Sequence, residues 1–176
     1  MLEKLYKNIK KKMVLGKINW CLNQKNGIRL IDPSINLSNS YLLMAEDALG
    51  VMANEKDKSI RWAIASGYYS MYYSLYSVLM RLGVKSEIHT CTISFMNGFL
   101  GDYYSNEDVA IVGKAFSLRN AVQYYVDKVL DPKDAEEVFQ RAAEFFNKSK
   151  QVTGSINEDD IEKIRSKLKR LMGDNP

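Results

Sequence analysis

A single histidine, His89, and two well-separated cysteines, Cys21 and Cys91, leave this chain without a CxxC pair or a metal-ligand cluster. The expectation is no metal, no cofactor, and free buried thiols in a reducing, cytoplasmic setting. There is no glycine-rich phosphate loop, no paired-carboxylate signature and no nucleophile elbow, so the usual marks of a phosphate-loop enzyme or a hydrolase are missing. No apolar run near Met1 leads into a small-residue cleavage site, so no secretory signal is expected. Only 3 prolines and 10 glycines, with few alternating apolar–polar runs, point to an all-α protein. The net charge of +4 permits contact with nucleic acid or an acidic partner but requires neither. At 176 residues the chain suits one domain with a full core.

Charge is also missing from the stretch around which the rest is arranged. Between Arg61 and Arg81, Trp62 to Met80 reads WAIASGYYSMYYSLYSVLM with no ionised side chain. At about 100° per residue it resolves into three faces. Ile60, Ile64, Met71, Leu75 and Val78 form an aliphatic one, with Leu79 and Tyr72 at its edge. Trp62, Tyr69, Tyr73 and Tyr76 form an aromatic one, and Ala63, Ser66, Ser70, Ser74 and Ser77 a strip of small residues. Five tyrosines, four serines and a glycine argue against a membrane span, because each hydroxyl would need a partner in lipid. The stretch is predicted to be the central helix of a bundle.

Leu2, Leu5, Tyr6, Ile9 and Met13 mark a lysine-rich amphipathic helix that Gly16 should break, with a short helix from Lys17 to about Lys25 after it. Ile35 to Ala53 forms the next helix, burying Leu37, Tyr41, Met44, Ala45, Ala48 and Met52. Asp57 or Ser59 is placed to cap the central helix and Gly83 to close it. Ser86 to Leu100 reads as helical, as does the segment after Asn106, a candidate cap, whose buried arc runs from Ile111 to Val126 and Val129. Asp131-Pro132 opens another helix. A break at Gly154 precedes a last one, with Ile161, Ile164, Leu168 and Leu171 in line. About four core helices result: 1–33 an N-terminal helical extension, 34–150 the bundle, and 151–176 a C-terminal amphipathic helix packed on or near it.

Arg119 lies inside the apolar arc of its helix, so it needs a partner or a purpose. It is either one half of a core or interface ion pair, or a clamp for phosphate, whose oxygens match the guanidinium fork. Gln123 is one turn further along the same face, and Asn120, Tyr124, Tyr125 and Asp127 are near enough in sequence to join it at a helix edge. His89, flanked by Ile88 and Thr90, reads first as structural, since acid–base work needs a geometric partner. The tyrosines from Tyr68 to Tyr76 read as core and interface residues rather than a base-stacking platform.

Three stretches together resemble the HEPN superfamily (higher eukaryotes and prokaryotes nucleotide-binding domain): GYYSMYYSLYSVLMRLGV at 67–84, IHTCTISFMNGFL at 88–100 and LRNAVQYY at 118–125. The resemblance covers roughly Leu37 to Phe146. It implies an antiparallel up-and-down four-helix bundle, here with additional N- and C-terminal helices, that often homodimerises. In ribonuclease members an arginine, the polar residue after it and a histidine four to six positions on form the active motif. Arg119 and Asn120 match the first two positions, while Tyr124 or Tyr125 stands where histidine is expected. An unperturbed phenol, at pKa about 10, replaces imidazole poorly near neutrality. The resemblance therefore implies a non-catalytic or partner-dependent binder of nucleotide or RNA, with Arg119, Asn120, Gln123, Tyr125 and His89 as contacts. Pairing with a minimal nucleotidyltransferase is a further implication. The alternatives are a metal-independent ribonuclease toxin of a toxin–antitoxin system, using Arg119, Asn120, Tyr124 and Tyr125, and a structural dimerisation module.

Overall fold

The computed structural model describes residues 2–125, 127 and 130–173, with side chains described from residue 12 onward. Its elements run α1 (Leu2–Leu22), β1 (Arg29–Leu30), α2 (Ile35–Glu55), α3 (Ile60–Leu82), β2 (Val84–Lys85), α4 (His89–Phe99), α5 (Asn106–Tyr124), α6 (Pro132–Ser155) and α7 (Glu158–Gly173). Among the described residues the fold is all-α apart from one two-residue antiparallel pairing, Arg29 opposite Lys85 and Leu30 opposite Val84. Among the described residues no helix is long and apolar enough to cross a membrane.

The helix α3, uncharged from Trp62 to Met80, is central, packing on α2, α5 and α6. Tyr68, Met71, Leu75, Val78, Leu79 and Leu82 are almost fully buried, with Phe95 and Met96 of α4, Val112 of α5 and Phe145 of α6 in the same core. Its small strip faces α6: Ser77 Oγ lies 3.2 Å from Thr153 Oγ1, and Ser74 and Ser77 bond back to carbonyls of their own helix. Trp62 escapes the core and is 65% exposed.

Gly83 ends α3 in the left-handed region, φ 67°, its N–H returning to Leu79 and Met80. From α7, Arg165 donates from Nη1 to the carbonyls of Ile31, Leu82 and Gly83 at 2.7, 3.2 and 2.7 Å. One guanidinium thus satisfies carbonyls that a helix end leaves open, and ties α7 to the base of α3.

Several sequence expectations are corrected. Gly16 does not break α1, which is continuous to Leu22. The two cysteines are not free: Cys21 and Cys91 form a disulfide, with their Cα atoms 5.6 Å apart. Ile18 and Cys21 are buried, and a Cβ on Gly98 would meet Val14 and Ile18 at 3.4 Å, ordinary contact distance, so α1 lies directly along α4. In α2 the buried line is Ser38, Ala45 and Met52, leaving Leu37 and Met44 exposed, because the small side chains draw α2 onto α3. Ser105, not Asn106, caps α5 in a capping box closed by Asp108. Ser59 occupies the cap position of α3 without a side-chain bond. His89, not Ser86, opens α4, and α6 runs through Gly154 to Ser155. Val126 and Val129 lie outside the described residues.

Candidate functional site

The last two turns of α5 bring Arg119 against the aromatic face of α3. Its Nη2 donates to Tyr69 Oη at 2.6 Å and its Nη1 to Asn120 Oδ1 at 3.0 Å. The guanidinium carbon sits 5.3 Å from the Tyr69 ring centre and 5.8 Å from that of Tyr124. These are cation–π distances, favourable for a planar cation on an electron-rich face. Nε is sealed from solvent and has no hydrogen-bond partner among the described residues.

Arg119 forms no ion pair among the described residues. Asp108, three turns back on α5, is committed elsewhere: Lys148 Nζ is 2.5 Å away, Arg141 3.8 Å, and the Ser105 N–H 2.7 Å. Asp127 is exposed and makes no bridge to it. Burial opposes the charge on Arg119, yet its bonds to the Tyr69 and Tyr124 phenols hold its pKa above the ordinary arginine value. The result is a half-buried cation whose partners among the described residues are all neutral.

His89 comes within the field of that cation. Its ring stacks on Tyr72 with centroids 4.4 Å apart and on Phe116 at 5.9 Å, Phe116 standing one turn before Arg119 on α5. It meets Tyr69 edge-on at 6.4 Å, and its Nδ1 is 2.5 Å from Tyr68 Oη. Burial, and then the Arg119 charge, push its pKa below the usual histidine range. Burial also drives the Tyr68 and Tyr72 phenols far above the ordinary tyrosine range, so both remain protonated.

Of the residues that the sequence singled out, Arg119, Asn120 and Tyr124 are thus in contact, and His89 is joined to them through Tyr69. Gln123 and Tyr125 are exposed, and the hydrogen bonds of the guanidinium go to Tyr69 and Asn120 instead. Tyr124 is 68% exposed, so this side of the guanidinium is edged by a ring that stands open to solvent. The Tyr125 carbonyl, with that of Val122, accepts from Arg61 Nη1 at 3.3 and 3.1 Å, which pins the end of α5 to the start of α3. Sequence reasoning missed Tyr68 and Tyr69 as functional neighbours. The usable signal was chemical: five phenols on a buried helix each need a polar partner, and an arginine and a histidine were the groups in want of one.

No three His, Cys, Asp or Glu side chains come together as a metal-holding group among the described residues. A surface depression of about 250 Å³ opens between the end of α4 and the start of α5, lined by Met96, Tyr104, Asn106 and Glu107 among others. It includes neither Arg119 nor His89, and its lining offers no cation.

No curated protein matches the chain. The model of one family does, that of the HEPN domain, over residues 40–152, a span that begins in α2 and closes near the end of α6 and so contains Tyr69, His89 and Arg119. With the bundle and the family match in agreement, the chain belongs to the HEPN domain family.

Proposed function

We propose that this chain binds the phosphate-bearing backbone of a nucleotide or RNA with Arg119 as its anchor, and that it does not cleave RNA by itself. One observation carries the reading: Arg119 is half-buried, and all of its partners among the described residues are neutral. A guanidinium held this way by phenol and amide oxygens keeps its charge for an incoming anion, where an internal ion pair would have spent it. Tyr69 and Tyr124 fix the plane of the cation, and the exposed Tyr124 ring offers a face for a base.

Acid–base chemistry is poorly provided for. Tyr68 and Tyr72 are protonated throughout the physiological range, and Nδ1 of His89 is already engaged by Tyr68. Catalysis would then come from outside the protomer, from a second copy or from a partner such as a minimal nucleotidyltransferase. A second copy is favoured by α2, where Leu37, Met44 and Val51 recur every seven residues as an exposed apolar stripe. Light scattering should report a dimer that Met44→Lys weakens; a monomer at high concentration removes the homodimer from the reading.

The test is fluorescence anisotropy with a labelled single-stranded RNA at low salt. Wild type should bind, and Arg119→Ala should bind at least about tenfold more weakly, as loss of a charged hydrogen-bond donor implies. Equal binding by both removes Arg119 as the anchor. Metal-free cleavage of the RNA by wild type, abolished in Arg119→Ala, would establish the ribonuclease-toxin alternative instead.

A further inference from the structure

We infer that His89 is a second phosphate donor in this site, a neutral imidazole held in the tautomer that carries its proton on Nε2. The inference rests on the anion-binding reading of Arg119 and adds a contact from a different helix.

The tautomer follows from Tyr68. Its phenol is deeply buried, and its oxygen lies 2.5 Å from His89 Nδ1. A protonated hydroxyl in a dry core must donate, and Nδ1 is the acceptor beside it. The imidazole proton is then left on Nε2. Protonating the ring as well would turn Nδ1 into a donor facing a donor, and would place a second cation beside Arg119. The titratable and charged groups facing the ring are Tyr68, Tyr69 and Tyr72 from α3 and Arg119 from α5; α4 itself carries no charged side chain. None of these is an acid that would favour imidazolium. The depressed pKa of His89 agrees with this reading.

Nε2 is the free end of the ring. It has no protein partner among the described residues and is not sealed from solvent. Tyr69 separates the two donors by the width of one ring, touching His89 with its edge and holding Arg119 with its hydroxyl. A phosphodiester above Tyr69 would meet a charged fork on one side and a neutral N–H on the other. Because the imidazole stays neutral, its contribution should not vary between about pH 6.5 and 8, unlike that of a histidine that must be protonated to bind.

The chain's single histidine makes the test clean. Nitrogen-15 NMR of the free protein should show Nε2 protonated and Nδ1 unprotonated at pH 7.5. The same single-stranded RNA is then titrated into variants confirmed as folded by circular dichroism. In His89→Gln the amide nitrogen reaches the Nε2 position, and affinity should stay within about threefold of wild type. In His89→Asn the amide reaches only the Nδ1 position, and affinity should fall about tenfold or more. Tyr68→Phe should leave both tautomers populated in the spectrum. A proton found on Nδ1, or equal affinities for the Gln and Asn variants, overturns the inference while leaving Arg119 as anchor. Failure of wild type to bind the RNA at all overturns the reading beneath it instead.

Discussion

Arg119→Met should cost the fold little, and the expected size can be worked from its surroundings. The substitution removes two hydrogen bonds from a charged donor, to Tyr69 and to Asn120. At a half-exposed site these are worth about 1.5 kcal/mol each, the low end for charged bonds. Against that, it relieves the partial desolvation of the guanidinium and removes the sealed, unpartnered Nε. An unsatisfied buried donor costs about 1–3 kcal/mol. Tyr69 is only half-buried, so water can replace the lost partner. Methionine keeps much of the aliphatic packing against the phenol rings. The net change should lie within about 1 kcal/mol of zero, or about 2–4 °C in Tm for a domain of this size. Urea unfolding followed by circular dichroism, at two protein concentrations, measures it. A loss of about 3–5 kcal/mol at unchanged m would refute the reasoning. That is the penalty for breaking a buried ion pair, and it would make Arg119 a structural residue.

Three other outcomes are expected. Gly83→Ala should destabilise by about 3 kcal/mol or more, because φ is 67° and the new Cβ would meet the Ile31 carbonyl oxygen at 2.6 Å and Pro33 N at 2.7 Å; Gly50→Ala, in open space on α2, should instead raise stability by about 0.5–1 kcal/mol in the same urea experiment. Replacing Cys21 and Cys91 together by serine should lower stability by about 4 kcal/mol, the chain-entropy value for a 70-residue separation, and a phosphine reductant should do the same to wild type; equal midpoints would show that the bond contributes nothing. Acid should destabilise the protein in two separate windows. His89, with its pKa lowered on folding, contributes stability that is complete above about pH 6.5 and is lost as pH falls through its folded value, so His89→Gln should flatten that limb of midpoint against pH. Burial raises the Asp108 pKa, but the Lys148 and Ser105 bonds outweigh it and hold the carboxyl below its ordinary range, so its contribution is complete above about pH 4 and is lost below, and Asp108→Asn should remove that lower limb.

How far the sequence is legible depends on how local the deciding physics is. The central helix is readable because nineteen positions without charge leave no side for water. Gly83 and Asp131-Pro132 are readable because helix ends have strong local chemistry, and each is where it should be. The buried face of α2 misleads because hydrophobicity is outvoted by closeness. Ser38 and Ala45 let two backbones approach, while Leu37 and Met44, richer in apolar surface, are turned outward. The Cys21–Cys91 bond could not be read, since nothing in their spacing says that α1 lies along α4. Arg119 and Asn120 are found from the motif on their own helix. His89 and Tyr69 come from two other helices, and only the packing of α3 against α4 and α5 unites them with Arg119.

The disulfide closes a loop that contains α2, α3 and both short strands. Pulled between its ends, an oxidised chain passes load from residue 21 straight to residue 91, and everything between is shielded. About 70 residues, some 240 Å of contour length when extended, stay hidden until the sulfurs part. Tyr69 and the central helix fall within the shielded length, and His89, two residues before Cys91, sits at its edge. Arg119 falls beyond it. Tension would therefore draw α5 away from a scaffold that cannot lengthen, and the arginine would part from its tyrosine before the core of α3 began to unravel.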